Sequence, residues 1–71
     1  MEIGDLVIWR KSENWPEFLV RDQKRLEKQH GEGPFKILNI IRVADTINIE
    51  FIDKNGKTVR FYSLWFEKVS P

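Results

Sequence analysis

The 71-residue chain contains no cysteine. Disulfide bonds and thiolate metal sites are therefore excluded, and the absence is compatible with a reducing compartment. A chain of this length buries only about 60% of the surface that its unfolded form exposes. Side-chain packing alone must hold the core together, and we expect a single domain covering residues 1–71.

Neither sign of charge dominates, because twelve Lys and Arg residues stand against eleven Asp and Glu for a net charge of +1. A protein held to nucleic acid mainly by phosphate contacts would be far more basic. No apolar run approaches the roughly 20 residues of a transmembrane helix, and the first residues lack the basic and apolar regions of a signal peptide. We therefore expect a soluble cytoplasmic protein with no membrane association.

Residues suited to catalysis are also scarce. His30 is the only histidine, and its predicted place at a helix C-terminus is explained by the helix dipole or by simple exposure. The carboxylates are scattered among basic residues, and the segment Gly31 to Gly33 precedes a strand, whereas a phosphate-binding loop precedes a helix. We expect no enzymatic activity, no cofactor and no bound metal.

What the chain does contain is apolar and aromatic bulk. Hydrophobic residues make up 41% of it, and three tryptophans, one tyrosine and five phenylalanines are among them. This composition is too apolar for a disordered chain, and we expect a folded protein.

One helix is predicted over residues 15–30. Side chains of the segment 12–14 can cap its start, where Asn14 and Glu17 resemble a capping box and Pro16 falls in the first turn. Gly31 suits the left-handed position after the last turn, so the helix should end at Gln29 or His30.

Two faces of this helix differ in chemistry on a helical wheel. The face expected to pack against a sheet contains Trp15, Phe18, Leu19, Asp22 and Leu26. A different face is basic and contains Arg21, Lys24, Arg25 and Lys28. Pairing of Glu17 with Arg21 and of Asp22 with Arg25 should partly neutralise the basic face. Each pair should stabilise the helix by about 0.2–0.5 kcal/mol.

The remainder of the chain has the two-residue period of β-strands. A first strand is predicted within residues 3–10, a long and sharply curved one over 35–43, and a third over 47–52. Ala44-Asp45 forms a tight connection, and Asn55-Gly56 favours a hairpin with a primed turn or a glycine bulge. The partner strand is 58–62, and Ser63-Leu64-Trp65 can form one helical turn before a last strand at 66–69.

Three segments in this order resemble small SH3-like barrels of the class that includes KOW and Tudor modules. They are the opening Gly4-Asp5-Leu6-Val7, the entry to the second strand at Gly33-Pro34-Phe35, and the closing segment 63–69. The resemblance implies a mainly β, α+β fold: a five-stranded antiparallel SH3-like barrel with one helix, about 15–30, inserted between strands 1 and 2. Such barrels generally bind other molecules rather than catalyse.

Two groups of residues are candidates for binding. Trp9, Tyr62 and Trp65 would lie close together in a closed barrel and can anchor a binding surface, although they can equally serve as core. The basic residues Arg21, Lys24, Arg25 and Lys28 can follow a phosphate backbone while aromatic rings stack on bases, although they can equally form a solvated helix face.

Two hypotheses follow. The first is a non-enzymatic protein-interaction module or accessory subunit, a monomer or weak homodimer with a protein partner. The alternative is a module associated with RNA or single-stranded DNA, as KOW or Tudor resemblance implies. Salt-dependent binding to single-stranded nucleic acid separates the two.

Overall fold

The computed structural model describes residues 1–11 and 14–69. This part of the chain has an α+β fold built mostly of strands, with one α-helix. In chain order its elements are β1 (Leu6–Trp9), α1 (Glu17–His30), β2 (Phe35–Lys36), β3 (Asn39–Val43), β4 (Thr46–Ile52), β5 (Thr58–Tyr62), a 3₁₀ helix (Ser63–Trp65) and β6 (Phe66–Lys68).

The strands form two three-stranded antiparallel sheets, ordered β2-β1-β6 and β3-β4-β5. Antiparallel pairing from Phe35 onward, the hairpin partner strand 58–62 and the helical turn at 63–65 were all predicted correctly. The prediction of five strands was wrong, since the described residues form six, and the sheets do not join into one closed barrel.

The additional strand arises because the long strand predicted over residues 35–43 is broken. The Ile37 amide donates to the carbonyl of Asp5 at 2.9 Å, whereas the next amide, of Leu38, donates to the carbonyl of Glu50 at 2.8 Å. The chain therefore leaves one sheet and enters the other between two consecutive residues. Ile37 is buried and Ile40 also packs against the core, so the strict alternation of faces expected across this segment is lost.

The core lies between the two sheets and is mainly aromatic. Rings of Phe35 and Phe51 stack with centroids 4.2 Å apart, and those of Trp9 and Phe66 lie 4.5 Å apart. The buried apolar side chains are Val7, Trp9, Phe35, Ile37, Ile49, Phe51 and Phe66. Large rings supply the buried area that a chain of this length needs.

Both tight connections of the second sheet form where the sequence predicts them. Val43 pairs with Thr46 across a two-residue turn, in which Ala44 has a φ of 53°. In the other turn the Gly56 amide donates to the carbonyl of Asp53 at 3.0 Å, and Gly56 has a φ of 77°. This hydrogen bond and the positive φ identify the turn as the glycine-bulge form of the predicted hairpin. Glycine suits the position because it adopts positive φ without steric cost.

The helix ends at His30 as predicted, but its start differs from the prediction. Its first residue is Glu17 and its N-cap is Pro16, and no side chain of the described residues makes a capping hydrogen bond there. The predicted capping box of Asn14 and Glu17 is therefore wrong, and the capping candidates Ser12 and Glu13 lie outside the described residues. The fixed φ of Pro16 suits the entry to a helix without a side-chain cap.

The packing face of the helix also differs from the prediction. Phe18 is 63% exposed, whereas Gln23, which has no place in an apolar stripe, is only 7% exposed. Leu26 packs against the core as expected. At 100° per residue, the face that packs is rotated by roughly 50° from the one predicted, toward Gln23 and His30.

None of the helices in the described part of the chain is long and apolar enough to cross a membrane.

Candidate functional site

An apolar groove of about 200 Å³ lies between the start of α1 and the 3₁₀ helix. Three of its five lining residues are aromatic, and we call it the aromatic groove. It is lined by Trp15, Leu19, Tyr62, Leu64 and Trp65.

Local structure on each wall of the groove turns apolar side chains toward it. Trp15 precedes the helix, and its ring meets that of Trp65 edge-to-face, with centroids 5.5 Å apart and planes at 84°. On the opposite wall, β5 ends at Tyr62 and the 3₁₀ helix follows immediately. Tyr62 remains 39% exposed and Leu64 47% exposed. The groove is therefore apolar surface in contact with solvent, which in small proteins often marks an interaction site.

Arg10, which follows β1, connects the two walls of the groove through its backbone. Its amide donates to the carbonyl of Trp65 at 2.8 Å, and its carbonyl accepts a hydrogen bond from the side-chain amide of Gln23. Gln23 is buried, so this bond is shielded from water and costly to break. The spacing between the helix and the 3₁₀ helix thus depends on Arg10, directly after the first strand.

The other end of the helix is fastened to the β4–β5 turn. Lys54 donates twice to helix carbonyls, from Nζ to Lys28 at 2.6 Å and from its amide to His30 at 3.0 Å. The Asn55 side chain donates to the Gln29 carbonyl at 3.0 Å. These bonds satisfy carbonyls that a helix C-terminus otherwise leaves without partners.

His30 and Asp53 form the innermost contact of this attachment. His30 Nδ1 lies 2.8 Å from Asp53 Oδ2, and the Asp53 side chain is only 1% exposed. The hydrogen bond from His30 lowers the pKa of Asp53 most; backbone amides of Lys57 and Asn55 lower it further, while burial opposes them.

The His30–Asp53 pair has the composition of a catalytic dyad, but its contacts are structural. Asp53 Oδ1 accepts from the amides of Asn55 and Lys57 at 2.8 and 3.0 Å and holds the turn in place, while Oδ2 fastens the turn to His30 of the helix. The His30 ring packs edge-to-face on Phe61. Within residues 1–11 and 14–69, no group of three or more His, Asp or Glu side chains is arranged to hold a metal ion.

A wider hollow of about 580 Å³ lies beside the loop after the helix. It is lined by both acidic and basic side chains, among them Glu27, Glu32 and Lys54. Lys54 Nζ is already bonded to a helix carbonyl, and Asp53, which also lines the hollow, is occupied by the turn. Lys54 and Asp53 are therefore committed to the fold, whereas Glu27 and Glu32 make no side-chain hydrogen bond within the described residues. The aromatic groove is the stronger candidate because two of the predicted binding residues, Tyr62 and Trp65, line it.

The structure separates the residues predicted to bind. Tyr62 and Trp65 both line the aromatic groove. Trp9 does not join them: it is 1% exposed, and its indole N–H donates to the Gly31 carbonyl at 2.8 Å. Its ring fills the core. A buried indole N–H needs a hydrogen-bond partner, and the Gly31 carbonyl supplies it.

The four predicted basic residues are all exposed on the helix, almost opposite the side that packs. Arg21 lies 3.8 Å from Glu17, and Arg25 lies 3.4 Å from Asp22. Lys24 and Lys28 make no ion pair within the described part of the chain. The basic face therefore points away from Tyr62 and Trp65, which pack on the other side of the helix.

Sequence reasoning missed three members of the groove. Trp15 and Leu19 were assigned to packing of the helix on the sheet, and Leu64 to the helical turn alone. The available signal was the concentration of large apolar residues in the short 3₁₀ segment, since exposed turns are usually polar.

A scan against models of protein families, a search of curated proteins and a search of solved structures each returned no match to this chain.

Proposed function

We propose that this protein is a non-enzymatic interaction module that binds a segment of a partner protein in the aromatic groove. The supporting observation is the groove itself, in which Trp15, Tyr62 and Trp65 present rings beside the exposed Leu64. Tryptophan and tyrosine are the side chains most often found as anchors of protein interfaces.

The fold assignment that accompanies this proposal is a partly open SH3-like barrel over residues 1–71, with α1 inserted between the first two strands. Three observations support it. The chain passes from one sheet to the other at Leu38, each sheet has three antiparallel strands, and a 3₁₀ helix links β5 to β6. The helix occupies the place of the first inter-strand loop and forms one wall of the groove.

The size of the groove sets the scale of binding. A volume of about 200 Å³ accommodates one large apolar side chain rather than a drug-sized ligand, whose pockets span roughly 300–1,000 Å³. Burying one such side chain contributes about 1.5–3 kcal/mol. Association costs at least several kcal/mol, so flanking contacts are needed and the complex should be weak and transient.

The test is a pull-down from native lysate, with and without nuclease, using the unmodified protein and two variants. Leu64→Glu places a charge in the groove. Val43→Glu, at a residue that is 55% exposed in β3 and outside the groove lining, is the matched control. We expect a nuclease-resistant protein partner to be lost with Leu64→Glu and retained with Val43→Glu. If every captured protein is retained by both variants, the proposal is wrong.

The alternative function, association with RNA or single-stranded DNA, is supported by the exposure of Arg21, Lys24, Arg25 and Lys28. Lys57 on the neighbouring β4–β5 turn is exposed too. Binding through these cations would weaken steeply as salt rises and would be lost on nuclease treatment of the captured complex. Absence of binding to single-stranded nucleic acid even at low salt eliminates this alternative.

A further inference from the structure

We infer that the segment recognised by the aromatic groove carries a carboxylate next to its apolar anchor, and that the Arg10 guanidinium binds this carboxylate. The inference rests on the proposed function and adds the chemistry of the partner.

Arg10 is a half-buried cation without a carboxylate partner in the part of the chain that the structure describes. Among the described residues, the guanidinium of Arg10 makes one hydrogen bond, from Nη2 to the carbonyl of Phe66 at 3.2 Å. A guanidinium has five N–H donors in a planar fork that matches a carboxylate. Most of the donors of Arg10 thus have no acceptor among the described residues.

Arg10 is also bonded to the groove wall itself. Its amide donates to the carbonyl of Trp65, and its guanidinium contacts the carbonyl of the next residue, Phe66. The side chain is held at the base of the 3₁₀ helix by these two contacts. A peptide with an apolar side chain in the groove beside Trp65 would bring its neighbouring residues toward this cation.

The charges beside Arg10 leave a modest positive excess. Lys11, the next residue, is exposed, whereas Arg21 lies on the basic helix face that points away from the groove. Asp22, the helix carboxylate nearest to Trp15 and Leu19 on a helical wheel, is paired with Arg25 at 3.4 Å. Glu67 pairs with Ile8 across the β1–β6 ladder and opposes the excess, but it forms no ion pair with Arg10 among the described residues. An acidic segment fits this balance better than a basic one.

A second copy of the chain fits the groove less well. Stable interfaces bury about 1,200–2,000 Å² in total, whereas the groove holds a single side chain. A dimer would need surface well beyond the exposed groove residues Tyr62 and Leu64. A peptide segment needs only the anchor and its neighbours.

The test uses fluorescence anisotropy with two labelled peptides whose ends are blocked. One has a central phenylalanine flanked by glutamates, and its twin has glutamines in place of the glutamates. We expect the glutamate peptide to bind about ten-fold to a hundred-fold more tightly, the range for a charged hydrogen-bonded contact. Arg10→Gln should remove this preference, whereas Leu64→Glu should abolish binding of both peptides.

The outcomes distinguish this inference from the proposed function. Equal binding of both peptides by the unmodified protein overturns the role of Arg10 and leaves the groove as a purely apolar site. Binding of neither peptide also overturns the inference, while the lysate capture still decides the proposed function. A dimer in solution that Leu64→Glu dissociates would show that a second copy is the occupant. The comparison of peptides on the unmodified protein remains decisive even if Arg10→Gln fails to fold.

Discussion

The most informative stability measurement is the replacement of Gln23 by Ala. The Gln23 side chain is 7% exposed and donates to the Arg10 carbonyl, so its truncation removes a buried hydrogen bond and leaves that carbonyl without its partner. An unsatisfied buried group costs about 1–3 kcal/mol. Alanine is the better helix former, which offsets this loss by a few tenths of a kcal/mol. We expect a net destabilisation of about 1–2 kcal/mol.

The matched control is Gln29→Ala in the same helix. The Gln29 side chain is exposed, and only its backbone carbonyl is used, by Asn55. This variant gains the same helix propensity without losing a buried bond. The difference between the two variants therefore isolates the contribution of the Gln23 side chain.

Urea denaturation followed by tryptophan fluorescence measures both variants. For a domain of this size, 1 kcal/mol corresponds to about 4–8 °C in Tm, so thermal melting provides an independent check. Phe18→Ala, at a residue 63% exposed, should change stability by less than about 0.5 kcal/mol. If Phe18→Ala costs as much as Gln23→Ala, the packing face is the one predicted from the sequence and the reasoning fails.

Three further predictions concern the turns and the helix. Ala44→Gly should stabilise the protein by about 0.5–1 kcal/mol in urea denaturation, because the φ of 53° strains alanine but not glycine; a loss of stability would contradict this. Asp53→Asn should destabilise near neutral pH, and its difference from the unmodified protein should shrink on acidification. The lowered pKa of Asp53 means that its carboxylate stabilises above the ordinary value of 3.8 and loses this effect as pH falls through the folded-state pKa. A pH-independent difference in melting between about pH 6 and pH 3, around the carboxyl pKa, would refute this. Leu26→Asp should cost more than about 3 kcal/mol and Lys24→Glu almost nothing, and equal melting of the two would show that the helix faces are wrongly assigned.

Elements governed by local chemistry were predictable from the sequence. The hairpin at Asn55-Gly56 and the helix end at Gly31 both depend on backbone conformations that glycine adopts easily, and both have positive φ at the glycine. The short 3₁₀ helix also forms where the sequence predicts it. The turn conformations depend mainly on neighbouring residues, whereas the strand after the 3₁₀ helix also needs β1 as its partner.

Elements governed by distant partners were not predictable. The break after Ile37 depends on which carbonyl accepts each amide, Asp5 for Ile37 and Glu50 for Leu38, and no periodicity within residues 35–43 shows these partners. Gln23 was missed for the same reason. A polar side chain on a helix is predicted to be exposed unless its acceptor is known, and the acceptor here is the carbonyl of Arg10, 13 residues earlier in the chain.

The candidate site was half predictable. Tyr62 and Trp65 were identified, together with the buried Trp9, because they would lie close together in a closed barrel and because tryptophan and tyrosine often anchor binding surfaces. Trp15 and Leu19 were not, because an apolar side chain that lines a groove has the same helical spacing as one that packs in a core. Only the position of the 3₁₀ helix opposite them distinguishes the two roles.

The attachments of the helix make groove shape and fold stability interdependent. Trp15 directly precedes the helix and Leu19 belongs to it, and this helix is held in its middle by Gln23 on Arg10 and at its end by His30 on Asp53. Loosening either attachment should misalign the groove and also destabilise the fold, because Leu26 of the same helix packs against the core. Partner binding should in turn tighten the attachments, since a ligand that binds only the assembled groove stabilises the arrangement that forms it.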